Sequence, residues 1–136
     1  EDRPRHLLGI GTVDDLFECV MRGIDTFDCV MPTRHARVGY FLIGPSAGGN
    51  KKNKFRMNIK NSKNRKDNKP IDALCGCYSC RTFSRAYLRH LFITNEILFY
   101  NLASTHNLTM IFALMKKIRD AIDNDSFESL RRAWLS

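Results

Sequence analysis

The chain has 136 residues, 43% hydrophobic and 26% charged, a composition that supports one packed domain and excludes a disordered tail. Lysine and arginine outnumber aspartate and glutamate by 22 to 14, for a formal charge of +8, which favours a polyanionic partner such as nucleic acid or an acidic surface. There is no uninterrupted run of about eighteen apolar residues, and the opening EDRPRHLLGIG mixes charges of both signs without an apolar stretch, so neither a membrane span nor a signal peptide is expected.

His6 to Ile10 reads as a short buried strand. Thr12 followed by Asp15 is a capping-box start for a helix whose apolar face is Leu16, Phe17, Val20 and Met21 and whose stop is Gly23. Ile24 to Met31, IDTFDCVM, reads as a second strand ending at Pro32. Strand, helix and strand within about thirty residues form the pattern of a βαβ unit in a parallel sheet. Functional groups in such sheets gather at the carboxyl ends of the strands, where Asp28 and the following PTRHAR lie. A carboxylate between Phe27 and Cys29 in an apolar strand is costly unless it is paired, solvated or used; the residues alone leave a structural and a catalytic role for Asp28 both open. Arg34 and Arg37 offer forked donors suited to phosphates or base edges, against the simpler alternative of a solvated loop.

The charge is concentrated farther on. Nine lysines and arginines lie between Lys51 and Lys69 with Asp67 as the one acid, while thirteen residues of each sign balance elsewhere. With GPSAGGN before it and asparagines throughout, residues 44–70 read as a basic loop, mobile in part, containing one short strand in FRMNI, Phe55 to Ile59. Its cations lack the aromatic interleaving that stacks bases, so they read as phosphate contacts.

Cys75, Cys77 and Cys80 have the spacing C-x-C-x-x-C, suited to thiolates converging on one cation, and His106 in ASTHNL is the natural fourth ligand. Three thiolates and one imidazole fill the Zn²⁺ tetrahedron and leave no position for water, which marks a structural site; a catalytic zinc of the deaminase kind would have a Glu beside its ligands, and none is present. The alternative is three small buried hydrophobes with His106 as a helix cap. Five cysteines without a secretory signal suggest reduced thiols and a cytoplasmic setting. Helical spacing links Tyr87, Leu88, Leu91 and Phe92, then Ile97, Leu98 and Leu102, then Leu108, Ile111, Phe112, Met115, Ile118 and Ile122. This places His106 just before a long helix, brought back to the cysteines by a helical hairpin from Ser84 to Tyr100. A last helix, capped at Asp125 or Ser126, carries Phe127, Leu130 and Trp134. Phe83, Tyr87 and His90 share one face, suited either to a core or to a subunit interface.

Taken in order, RPRHLLGIGTVDDL, GIDTFDCVMPTRHAR, NIKNSK, PIDALCGCYSCRTFSRAYLRHLF, NEIL and HNL closely resemble the carboxyl-terminal third of the bacterial tRNA-guanine transglycosylase (queuine tRNA-ribosyltransferase) family. The resemblance implies an α/β chain: the carboxyl-terminal portion of a (β/α)8 TIM barrel in residues 1–43, the basic insertion in 44–70, and a zinc-binding subdomain with terminal helices in 71–136. It implies exchange of guanine at the tRNA wobble position for a 7-deazaguanine precursor of queuosine, with Asp28 as nucleophile. Leu8 and Gly9 would form part of the base pocket, Arg34 and Arg37 would hold anticodon bases, and Cys75, Cys77, Cys80 and His106 would hold a structural Zn²⁺. Partners would be the tRNA anticodon loop, a 7-deazaguanine base and a second copy in a homodimer using Phe83, Tyr87 and His90, with no membrane. Two departures stand out: Leu8 replaces a methionine common in the family, and GPSAGGNKKNKF is longer and more basic than the usual connection. The first two thirds of the barrel, with the general-acid aspartate, have no counterpart here, so the chain is expected to be a fragment inactive by itself. The competing reading is a stand-alone zinc-stabilised tRNA-binding module in which Asp28 is incidental; FDCVMPTR argues against it, since such a module has no need of a carboxylate in an apolar strand.

Overall fold

The computed structural model describes residues 3–136. It opens with one βαβ unit, β1 (His6–Leu8), α1 (Val13–Met21) and β2 (Thr26–Asp28), the strands parallel and in register His6 with Thr26, Leu7 with Phe27 and Leu8 with Asp28. The helix begins on a reciprocal cap: Thr12 Oγ1 accepts from the Asp15 amide at 3.3 Å, and the Asp15 carboxylate accepts from the Thr12 amide at 3.1 Å. Both strands are shorter than the apolar runs that encode them. Gly9 turns to φ +75° directly after Leu8, and α2 (Met31–Arg37) takes over the end of the second run. PTRHAR is therefore helical instead of a loop, with Pro32 in the first turn, where its missing N–H is no loss.

α2 leads into β3 (Tyr40–Leu42), which pairs antiparallel with β4 (Arg56–Asn58), Phe41 opposite Met57. β4 is the strand expected in FRMNI. Its partner gives no period-two signal because both sides of β3 are covered: Phe41 packs in a cluster with Ile59, Leu88, Phe99 and Leu102, whereas Leu42 packs in a second cluster with Leu16, Phe17, Phe55, Leu114, Ile118 and Trp134. Residues 44–70 fold closely around this hairpin. Short 3-10 turns at Pro45–Ala47 and Ser62–Lys66 flank β4, Phe55 and Ile59 are buried, and the buried Asn64 amide donates to the Asn58 and Ile59 carbonyls at 3.0 and 3.2 Å. The asparagines are turn-makers. Asp67 is also consumed internally, by Arg85 at 3.0 Å, whose guanidinium donates to the Pro70 and Ile71 carbonyls as well.

Four helices complete the chain: α3 (Tyr78–Thr82), α4 (Arg85–Ile93), α5 (Ile97–Asp123) and α6 (Phe127–Leu135). The expectation that His106 precedes the long helix is corrected: α5 runs unbroken for 27 residues with His106 inside it. No Gly or Pro interrupts it, so propagation has nothing to stop it, and the turn from α4 falls earlier, at Asn95 with φ +56°. By length and composition α5 would also suffice to cross a bilayer. Its buried face nevertheless carries the polar His106 and Asn107, both hydrogen-bonded within the protein, as a central core helix requires. α6 closes over α1 through Phe17, Phe127 and Trp134, with Arg131 paired to Glu18 at its edge.

Candidate metal centre and strand-end site

The sulfurs of Cys75, Cys77 and Cys80 and the imidazole of His106 lie within 4.8 Å of one another. Local structure delivers each of them. Asp72 turns the chain by accepting the Leu74 amide at 2.9 Å. Cys77 caps α3, its sulfur accepting the Cys80 amide at 3.4 Å, and the middle of α5 presents His106. His106 Nδ1 stands 3.7, 3.6 and 3.2 Å from the three sulfurs; tetrahedral Zn–S and Zn–N bonds give an S···N edge of about 3.6 Å. On the far side of the ring, Nε2 is 2.8 Å from the Leu42 carbonyl, which can only accept. Nε2 therefore carries a proton, which leaves Nδ1, the nitrogen that faces the sulfurs, as the one placed to ligate a metal. The electrostatics favour a positive charge at the same point. Burial alone would lower the His106 pKa, yet the three sulfurs push it up to about 12. Burial would raise Cys77, but His106 and the Cys80 amide bring it down to about 6, whereas burial keeps Cys80 raised. The pocket thus favours a positive charge among its thiols, and this donor set fits a cation of the zinc class.

Asn107, which the sequence pattern did not single out, is the adjoining anchor. Its Oδ1 accepts the Leu42 amide at 2.8 Å, and its Nδ2 donates to the Pro32 and Tyr40 carbonyls at 2.9 and 3.0 Å. Neighbouring residues of α5 thereby hold β3 from one side and the start of α2 from the other. The available signal was the HN pair itself, two polar residues in a run whose apolar spacing directs it into a core.

The strand-end residues form a second constellation. Leu8 and Asp28 are register partners, and the Gly9 amide donates to the Asp28 carbonyl at 2.7 Å. Phe27 joins the cluster beneath α1, while Leu8, 66% exposed, and Asp28 share the open face. Asp28 is solvated, because among the described residues the parallel sheet has two strands and that face is open. A Cβ at Gly9 would meet nothing within 4 Å, so the demand for glycine there comes from its positive φ. Arg34 lines a cavity of about 510 Å³ shared with Gly9, Cys29 and Val30; Arg37 is exposed at the end of α2. Phe83 and Tyr87 stack at 5.1 Å with Tyr78 edge-on to Phe83, and Tyr78, Tyr87 and His90 are exposed. Tyr78, Tyr87 and His90 thus form a surface stripe, while Phe83 is half-buried against the helical core.

Fold and site together define an α/β chain with a closed Cys₃His metal-ligand set beside a βαβ strand end. The model of the queuine tRNA-ribosyltransferase family matches residues 1–136, and the chain belongs to that family. It is 48% identical over 132 residues to a queuine tRNA-ribosyltransferase of Roseiflexus sp. and 49% identical over 127 residues to one of Psychrobacter sp., covering 97% and 93% of this chain. A protein of Archaeoglobus fulgidus provisionally given the same name is 50% identical over 135 residues, 99% of this chain. The chain spans about a third of the length of these curated relatives, 34% of the Archaeoglobus protein and 32% of the other two.

Proposed function

We propose that this chain supplies the nucleophile, the anticodon contacts and the metal-stabilised end of a tRNA-guanine transglycosylase. The observation that carries the proposal is the juxtaposition at the strand ends: Asp28 on the open face, Leu8 opposite it in register, and the Gly9 amide on the Asp28 carbonyl at 2.7 Å. In a (β/α)8 barrel that bare face is the interior, and its strand ends are where chemistry is placed. The Asp28 carboxylate attacks C1′ of the wobble ribose. The bond from C1′ to guanine breaks with its electron pair leaving on the base, which an acid from the rest of the barrel protonates, and a glycosyl ester forms. A 7-deazaguanine base then attacks C1′ through its ring nitrogen, whose proton passes to the same outside group now acting as base, and the ester bond breaks, returning the carboxylate. Leu8 packs against the base plane, Gly9 lets the backbone approach it, and Arg34 and Arg37 project from α2 toward the neighbouring anticodon bases.

Cys75, Cys77, Cys80 and His106 hold one structural Zn²⁺, which supplies folding energy to the carboxyl-terminal part. Phe83, Tyr87 and His90 form a homodimer contact, and the enzyme works on tRNA in the cytoplasm. The remaining strands and the acid come from the part of the barrel that this chain does not span, so the chain by itself exchanges no base. In a polypeptide carrying the complete barrel, Asp28→Asn should reduce incorporation of labelled guanine into tRNA at least a thousandfold, with tRNA affinity unchanged within about twofold. Exchange persisting in that variant, or exchange by the 136-residue chain alone, would refute the proposal.

A further inference from the structure

The insertion is built into a cavity. Asn50 and Asn53 clasp each other, each side-chain oxygen accepting the other's amide at 3.2 and 2.9 Å, and both side-chain amides donate to the Gly48 carbonyl. That clasp, with Phe55 buried against Trp134 at 5.7 Å between ring centres, holds Lys54 and Phe55 at φ +53° each. Two consecutive bulky residues in the left-handed region cost free energy that the fold offsets elsewhere. The result is that Lys51 and Lys54 line the cavity of about 510 Å³ at the carboxyl ends of β1 and β2, together with Arg34 and Arg56. Among the described residues, no carboxylate forms an ion pair with any of these four cations.

Two donors buried behind the cavity wall also lack acceptors. Arg56 donates from a terminal nitrogen to His35 Nε2 at 3.0 Å, which places the ring proton on Nδ1; that N–H and the Arg56 Nε–H are buried without partners. Asp14 and Asp15 line the same cavity from α1. Asp15 is engaged by the helix cap and Asp14 Oδ1 is buried without a partner, so four cations stand against two carboxylates.

We infer that this cavity is a phosphate subsite, in which Lys51 and Lys54 of the insertion, with Arg56, bind a phosphodiester of the RNA strand whose ribose reaches Asp28. The inference deepens the transglycosylase proposal and rests on it for the choice of RNA. It also divides the basic segment: Lys51 and Lys54 line the cavity, whereas Lys63 and Lys66 lie on the separate turn at Ser62–Lys66.

The test is binding of a synthetic anticodon stem-loop to this chain, followed against salt by fluorescence anisotropy. Lys51→Gln with Lys54→Asn removes two charges while Asn accepts the left-handed backbone, so the turn is kept. The double variant should bind about tenfold more weakly at physiological salt, with a salt slope reduced by about 0.7–0.9 for one lost phosphate contact. Lys63→Gln with Lys66→Gln, the same charge change, should weaken binding less than twofold. Equal losses in the two variants would make the segment a diffuse patch and overturn the subsite, and so would no loss in the first. A melt raised by inorganic phosphate at fixed ionic strength, with RNA binding indifferent to the first variant, would mean a free-anion site and would overturn the RNA assignment. A melt lowered by the first variant with RNA binding unchanged would assign the lysines to Asp14. Selective loss of binding in the first variant, with no Asp28-dependent exchange in the complete barrel, would leave the subsite standing while the transglycosylase proposal fell.

Discussion

The metal-ligand cluster and the strand-end site sit in one chain and are completed in opposite ways. At the cluster, four ligands arrive within 4.8 Å, the far nitrogen of His106 is bonded to Leu42, and Asn107 satisfies three backbone groups. At the strand end, Asp28 and Leu8 are exposed, and Asp14 Oδ1, His35 Nδ1 and Arg56 Nε are buried without partners. A site assembled from local turns and one helix draws all its ligands from nearby elements of the chain. One built on the open face of a two-stranded sheet needs neighbours and a ligand to finish it.

That contrast is broken most forcefully at the metal cluster. Protein purified without chelator should contain about one zinc per chain, and Cys77→Ala should lose the metal and several kcal/mol of stability, enough to unfold a small domain near body temperature. Metal analysis with a thermal melt checks both; an unchanged melt in Cys77→Ala would mean that the cluster does not hold the fold. A smaller loss is expected next door. Asn107→Leu keeps the branched shape of the side chain but strips partners from the Leu42 amide and the Pro32 and Tyr40 carbonyls, costing about 3 kcal/mol in denaturant titrations. At the strand end, by contrast, Asp28→Asn should move stability by less than about 0.5 kcal/mol, since the side chain is exposed. A large loss would place Asp28 in a structural role.

The smallest expected effect is a pH dependence at His35. Burial lowers its pKa below 6.5, helped by the nearby Arg56 and Arg34 charges. The neutral ring therefore contributes stability that is fully present above the unfolded value near 6.5 and declines as pH falls through that value toward the lower folded one. His35→Gln should flatten the melting temperature between pH 7 and pH 5, and an unchanged slope would locate the titration elsewhere.

Much of this was readable in the residues for physical reasons. The Thr12 and Asp15 box, the βαβ order and the C-x-C-x-x-C spacing are local signals, and each forms as its residue types dictate. β3 was not readable, because a strand covered on both sides loses its alternation. The single length of α5 was obscured by STHN, a polar interruption that suggests a boundary although it contains no helix breaker. Residues 44–70 read as loose because asparagine and glycine mark turns, and sequence alone does not distinguish free turns from ones clasped to each other or stapled by Arg85. The exposure of Asp28 was illegible for a different reason: an apolar strand pattern does not say how many neighbours cover the strand, and among the described residues the parallel sheet has two strands.

The most direct test is to trap the covalent intermediate in a polypeptide carrying the complete barrel. After incubation with tRNA and a competing base, denaturation and digestion, mass spectrometry should find a ribose-linked nucleotide on the peptide containing Asp28. The Asp28→Asn protein should show none. An adduct on another residue, or one that persists in Asp28→Asn, would contradict the assignment of the nucleophile.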